Sequence, residues 1–149
     1  MSLLLKIPNV VGEVTTAGFA GAVAADSVSW GHGRLTDPTT GLAQGRILPR
    51  LFTFTRRVDR ASPSIAALLI GRKAVKLEFF QTQLNGTIVT RAVLLDAVFE
   101  DVQVSGHAAG GDATEMVTAS YGRITVIYNK LNKDGTVQLV GSYDYTPIV

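Results

Sequence analysis

The stretch SPSIAALLIG, residues 62–71, constrains the fold more than any other part of the chain. Ser62 suits a helix cap, Pro63 the first helical position and Gly71 the stop, so the spacing predicts a helix over about residues 63–70. About two turns are too short to stand alone in water. Ile65, Leu68 and Leu69 make one apolar face, but Ala66, Ala67 and Ile70 leave the other faces nearly as apolar. Such a helix has to be covered on more than one side. Two covers are open: a plug buried wholly within one protomer, or a wedge between its own sheet and a neighbouring chain.

Almost everything else alternates with the period of a strand. Leu3 to Ile7 is a short apolar run ended by Pro8, and Ser27 to Trp30 is another ended by Gly31. Leu48 to Val58 alternates except at Pro49, which suits an edge or a strand start. Ala74 to Gln83 puts Val75, Leu77 and Phe79 on one face, and Asn85-Gly86 turns the chain into a long return strand, Ile88 to Ser105. Within that strand Ala92 to Phe99 is apolar on both faces apart from Asp96, so two layers or a second subunit must cover it. Between Thr114 and Tyr128 the pattern slips at Gly122-Arg123, where a β-bulge is expected. Asn132 to Gly135 reads as a turn into a last strand carrying Val137, Leu139, Tyr143 and Tyr145. Two glycine-rich segments, residues 31–45 and 105–112, read as loops. No repeat or linker divides the 149 residues, so one domain spanning 1–149 is expected.

Charged residues are only 17% of the chain against 46% hydrophobic, below the charged share of about 25% usual in soluble domains. Such a chain leaves apolar surface that partner subunits can cover. A net charge of +2 does not announce nucleic acid or membrane binding. No apolar run approaches the ~20 residues of a membrane helix, so no membrane insertion is expected. The chain has no cysteine, hence neither disulfides nor thiolate metal sites. The start, MSLLLKIPNV, has no basic leader and no long apolar core; synthesis in the cytoplasm without a cleaved signal is the expectation.

Chemistry is sparse. His32 and His107 are the only histidines, and Ser29-His32-Asp37 or Ser105-His107-Asp112 could form a triad only by loop proximity, without a scaffold to orient it. Asp96 and Glu100, four apart on a strand, are separated by roughly 13 Å, too wide for a glycosidase pair. The run from Gly71 to Lys73 lacks the spacing of a phosphate loop, and no cluster has metal-ligand spacing, so neither cofactor nor metal is expected. Arg56, Arg57, Arg60, Arg72, Lys73 and Lys76 form a local basic concentration, read as a solvated rim around the helix.

Taken in order, LLLKIPNVVGE, SVSWG, FTFTRRVDRASPSI, the GRK exit from the helix, VLLDAVFEDVQVSG and EMVTASYGRITVIY resemble the haemolysin-coregulated protein (Hcp) family, the inner-tube subunits of type VI secretion systems. The resemblance runs nearly the whole chain, and FTFT-RR-VD-x-ASP is its most specific piece. It implies a mainly β fold: a compact β-barrel of two packed antiparallel sheets with one short flanking helix. It also implies homohexameric rings that stack into a hollow tube, fired by a contractile sheath behind a spike protein and carrying effector proteins. The protein itself would be exported with the tube. A phage-like tail-tube subunit is the alternative within this class; a small-ligand barrel or hydrolase is the alternative outside it.

On this resemblance a ring contact supplies the second cover of the helix, which makes Arg56, Arg60, Ile65, Leu68 and Leu69 candidate interface residues. Ser29 matches a position facing the lumen. Arg34, Leu35 and Leu42 are the candidate anchors of a ring-stacking loop. Members of the family often carry a Gly-Trp pair in the last strand; here Gly141-Ser142-Tyr143 stands in its place.

Overall fold

The computed structural model describes the backbone of residues 1–36, 39–41, 43–106 and 108–147, with the side chains of these residues except 35, 36 and 43–46. Among the described residues nine strands and one helix follow in the order β1 (Ser2–Lys6), β2 (Val23–Ala25), β3 (Ser27–Thr36), β4 (Ala43–Arg57), α1 (Ser62–Ile70), β5 (Val75–Thr82), β6 (Ile88–Ser105), β7 (Thr114–Ser120), β8 (Arg123–Leu131) and β9 (Val137–Tyr145). All ladders are antiparallel.

β6 organises the molecule, because it is too long for one sheet. Its first half pairs with β5 and β8, its second half with β7. One sheet therefore runs β2-β1-β5-β6-β8-β9 and the other β3-β4-β7-β6. The strand turns from one to the other at Asp96, whose φ of 53° lies in the left-handed region. Ala92 and Leu94 are buried before the turn, Ala97 and Phe99 after it, while Leu95 and Asp96 both face out. One extra residue keeps the apolar set inward across the bend.

The expected bulge at Gly122-Arg123 is instead a strand break. β7 belongs to one sheet and β8 to the other, and Gly122 donates its N–H to the Leu95 carbonyl at 2.8 Å as the chain crosses. The phase slip was legible; its cause was a change of sheet. The long glycine-rich loop at 31–45 is likewise mostly an extended hairpin, since β3 continues to Thr36 and β4 resumes at Ala43. Gly31 and Gly33 do not end the strand. They leave room for the Arg50 side chain, which would lie 3.3 Å from a Cβ at Gly31.

The two sheets pack through one core. A row of inward side chains crosses the first sheet from Leu5 through Phe79, Ala92 and Val126 to Tyr143. It meets Phe52 and Trp30 of the second sheet, with ring centroids 6.3 Å (Phe52–Phe79) and 5.6 Å (Trp30–Phe79) apart. Burying each such large side chain contributes about 1.5–3 kcal/mol. A smaller cluster of Leu4, Phe19, Ala22 and Phe80 lies apart from this main core. The barrel does not close by backbone pairing: among the described residues β9 pairs only with β8, and β3 only with β4.

Two turns are built alike. Gln83 to Thr87 and Asn132 to Thr136 each place Gly at positive φ (86° and 89°) after Asn85 or Asp134, whose side-chain oxygen accepts from the following Thr N–H. The end of α1 differs from expectation. Gly71 stays in the right-handed region, and Arg72 takes the left-handed position with φ 49°. The N–H groups of Arg72 and Lys73 reach back to the carbonyls of Leu69 and Leu68, a Schellman closure.

Candidate functional site

The alternation of FTFTRR carries Arg56 inward in line with Phe52 and Phe54, and sends Thr53, Thr55 and Arg57 to the other face. Arg56 is 1% exposed and stands opposite Glu115 of β7, itself 2% exposed. Its guanidinium pairs with Glu115 and with Asp59, and donates to Ser62 Oγ at 3.1 Å. Ser62 is therefore not the helix cap. Its hydroxyl accepts from the Asp59 N–H and donates to Glu115, while Asp59 accepts from the Ala61 N–H at 2.8 Å. This knot ties the start of α1 to β4 and β7. Glu115 was missed from sequence, although the inward parity of Arg56 demanded an acidic partner.

The helix rests on its own core. Ile65 is fully buried and Leu68 nearly so, Leu69 is half-buried against the same cluster, and Ile70 is 82% exposed. Three of the five interface candidates thus require correction. Arg56, Ile65 and Leu68 point into the protomer, because strand parity turns the first inward and the three-residue helical spacing lays the other two on the core. Arg60 is exposed, and Leu69 sits between the core and solvent. The uncovered flank of α1 is Ala67 and Ile70.

Ser29 lies exposed on the outward face of the second sheet. The register aligns it with Thr53, Thr118 and Asp101, and the next row aligns Ser27 with Thr55, Met116 and Gln103. Ser27 and Thr55 share a hydrogen bond of 2.6 Å, and Ser120 donates to Glu100 at 2.8 Å. The face is a field of short hydroxyls, with Leu51 and Met116 as its exposed large apolar side chains. Thr53 and Thr118 were not singled out from sequence; period-two counting from Ser29 and the strand pairing would have found them.

Of the stacking candidates, Arg34 is exposed on β3. Leu35 is on the same strand, but its side chain and the whole of Leu42 lie outside the described residues, as do Asp37 and His107. His32 falls three residues from Ser29 and so on the opposite face of β3. Its ring lies against Tyr145 at 4.5 Å between centroids, and its Nε2 is 3.4 Å from the Tyr143 hydroxyl. Strand parity separates Ser29 from His32, so that triad does not assemble. Burial lowers the pKa of His32 below its ordinary value. Among the described residues no group of three His, Cys, Asp or Glu could hold a metal ion. A cleft of about 590 Å³ is lined by Glu13, Asp26, Arg57, Asp59 and Asp112, and among the described residues no histidine, serine or threonine lines it.

A family model described as "Type VI secretion system effector, Hcp" matches residues 4–128. The chain belongs to the Hcp family. The fold agrees with solved Hcp structures at low identity. A structure described as that of a type six secretion system protein superposes with a TM-score of 0.88 at 18% identity, covering 97% of this chain and 94% of the other. Hcp1 from Salmonella typhimurium gives 0.78 at 19%, covering 97% and 93%. The secreted protein Hcp3 from Pseudomonas aeruginosa gives 0.63 at 20%, covering 99% of each. Among curated protein sequences none matches significantly. As an Hcp chain, the protein is a tube subunit of type VI secretion, a structural rather than an enzymatic family. Among the described residues no helix is long and apolar enough to cross a membrane.

Proposed function

We propose that this Hcp chain closes into six-membered rings whose stacks enclose a lumen lined by the outward face of the second sheet, and that the lumen carries effector proteins. The observation that carries this reading is the hydroxyl field around Ser29, Thr53, Thr55 and Thr118. A conduit wall must be wetted without gripping a passing protein; short hydroxyls meet that need across most of this face, with Asp101 and Arg57 carrying charges of opposite sign. Leu51 and Met116, 47% and 40% exposed, offer weak apolar contact to cargo from the same wall.

A closed ring needs two unlike surfaces that meet head to tail. The protomer offers two separate apolar patches: Ile70 beside Ala67 on α1, and Leu139 and Val140 on β9, 62% and 68% exposed. Arg60 and Leu69 fringe the first patch. Arg34 and Leu35 lie on β3, and together with Leu42 they are the proposed reach toward the next ring. The spike and sheath of the apparatus complete the set of partners, the protein is exported with the tube, and no catalytic role is assigned.

Ser29→Trp tests the lumen directly. The substitution places a bulky ring in the wall at a solvent-facing position, so rings persist while co-purified or co-secreted effector is lost. Unchanged effector retention by intact Ser29→Trp rings contradicts the lumen assignment.

A further inference from the structure

We propose that His32, Tyr143 and Trp30 form a proton-sensitive latch that holds shut the seam left open between the two sheets. No backbone ladder joins β9 to β3 among the described residues, so side chains must close that edge. The Tyr143 hydroxyl receives the Trp30 indole N–H at 3.3 Å and shares a hydrogen bond with His32 Nε2 at 3.4 Å. Tyr145 lies tilted against the same imidazole and donates its hydroxyl to the Ile47 carbonyl of β4 at 3.2 Å. Two aromatic residues of the last strand are thereby clamped onto the β3–β4 hairpin through one histidine.

The clamp requires a neutral ring. His32 Nδ1 is buried without a hydrogen-bond partner among the described residues. A neutral imidazole can leave that nitrogen as a bare acceptor, with the N–H at Nε2 directed to Tyr143. Protonation adds an N–H and a positive charge at a nitrogen that faces no acceptor. The elements around it offer little to offset that charge. β9 presents Tyr143 and Tyr145; β8 adds Tyr128, packed on Tyr143 at 6.3 Å between ring centroids; β4 presents Pro49 and Ile47. Asp144 alternates to the other face of β9, where it binds Thr125 and Arg123. Arg34, on the same face of β3 as His32, adds like charge, and Arg50 lies on the opposite face against Gly31 and Gly33. Among the described residues the Tyr143 oxygen at Nε2 and a modest cation–π contact with the tilted face of Tyr145 are the compensations, and neither reaches Nδ1. A protonated His32 therefore gains by leaving its slot for water, which frees Tyr143 and parts β9 from β3.

The single tryptophan of the chain is part of the latch, so its emission reports the seam. The test is a titration of Trp30 fluorescence from about pH 8 to about pH 5, spanning the ordinary histidine value of about 6.5. The expected result is a one-proton change with its midpoint below that value, present in the wild type and in His107→Gln, and absent in His32→Gln. Far-UV circular dichroism stays constant through it. Tyr143→Phe supplies a second arm if His32→Gln does not fold: with the acceptor of the Nε2 proton gone, the imidazolium loses a partner and the midpoint falls further below the ordinary value. Emission that does not change with pH, a transition that survives in folded His32→Gln, or an unmoved midpoint in Tyr143→Phe overturns the latch.

Discussion

Gly122 sits against Asp96 at the point where the chain passes between sheets: a Cβ on Gly122 would lie 3.2 Å from the Asp96 Cβ and 3.3 Å from its carboxylate. Asp96 itself occupies the left-handed region, which aspartate tolerates better than branched residues do. The two positions form one crossing, with the bend of β6 on one side and the β7-to-β8 break on the other. Asp96→Gly is expected to hold or raise stability by up to ~1 kcal/mol, whereas Asp96→Ile lowers it by about 1–3 kcal/mol through backbone strain. Urea denaturation of the three proteins measures the ordering; Asp96→Ile as stable as wild type contradicts the strain.

The buried knot makes a double-mutant prediction. Glu115→Leu leaves Arg56 charged and deprived of its most buried partner, and is expected to cost about 3–5 kcal/mol. The pair Arg56→Met with Glu115→Leu removes both charges and is expected to recover most of that loss. Denaturation midpoints of the single and double variants decide it. Additive losses would mean that the pair is not coupled.

Neighbouring helix positions should separate folding from assembly. Leu68→Asp buries an unpaired charge in the core and is expected to abolish the folded protomer. Ile70→Asp changes a side chain that is already 82% exposed; circular dichroism should match the wild type while the ring is lost. An unfolded Ile70→Asp protein, or a folded Leu68→Asp protein, would reverse the assignment of the two faces.

The fold is legible in the sequence where local chemistry decides the structure. Asn85-Gly86 and Asp134-Gly135 specify their turns, and strict alternation from Val75 to Phe79 specifies β5. It is not legible where two distant segments compete for one neighbour. The slip at Gly122-Arg123 has the same pattern whether a strand bulges or changes sheet, and only the pairing of β6 with both β7 and β8 distinguishes them. Gly31 and Gly33 look like loop residues until Arg50 is seen lying over them. Arg56 looks like a surface charge because charge usually is exposed, although its parity with Phe52 and Phe54 places it inward. The resemblance supplied the family and the tube; it did not supply which helix residues remain free for a neighbour.

Ring formation is the claim on which the lumen, the helix flank and the stacking hairpin all depend. Sedimentation equilibrium of the purified protein at micromolar concentration measures it most directly, read beside negative-stain images. The account predicts a closed species of about six subunits with six-fold end views, reduced to a folded protomer by Ile70→Asp. A wild-type protein that sediments as a monomer at that concentration contradicts it.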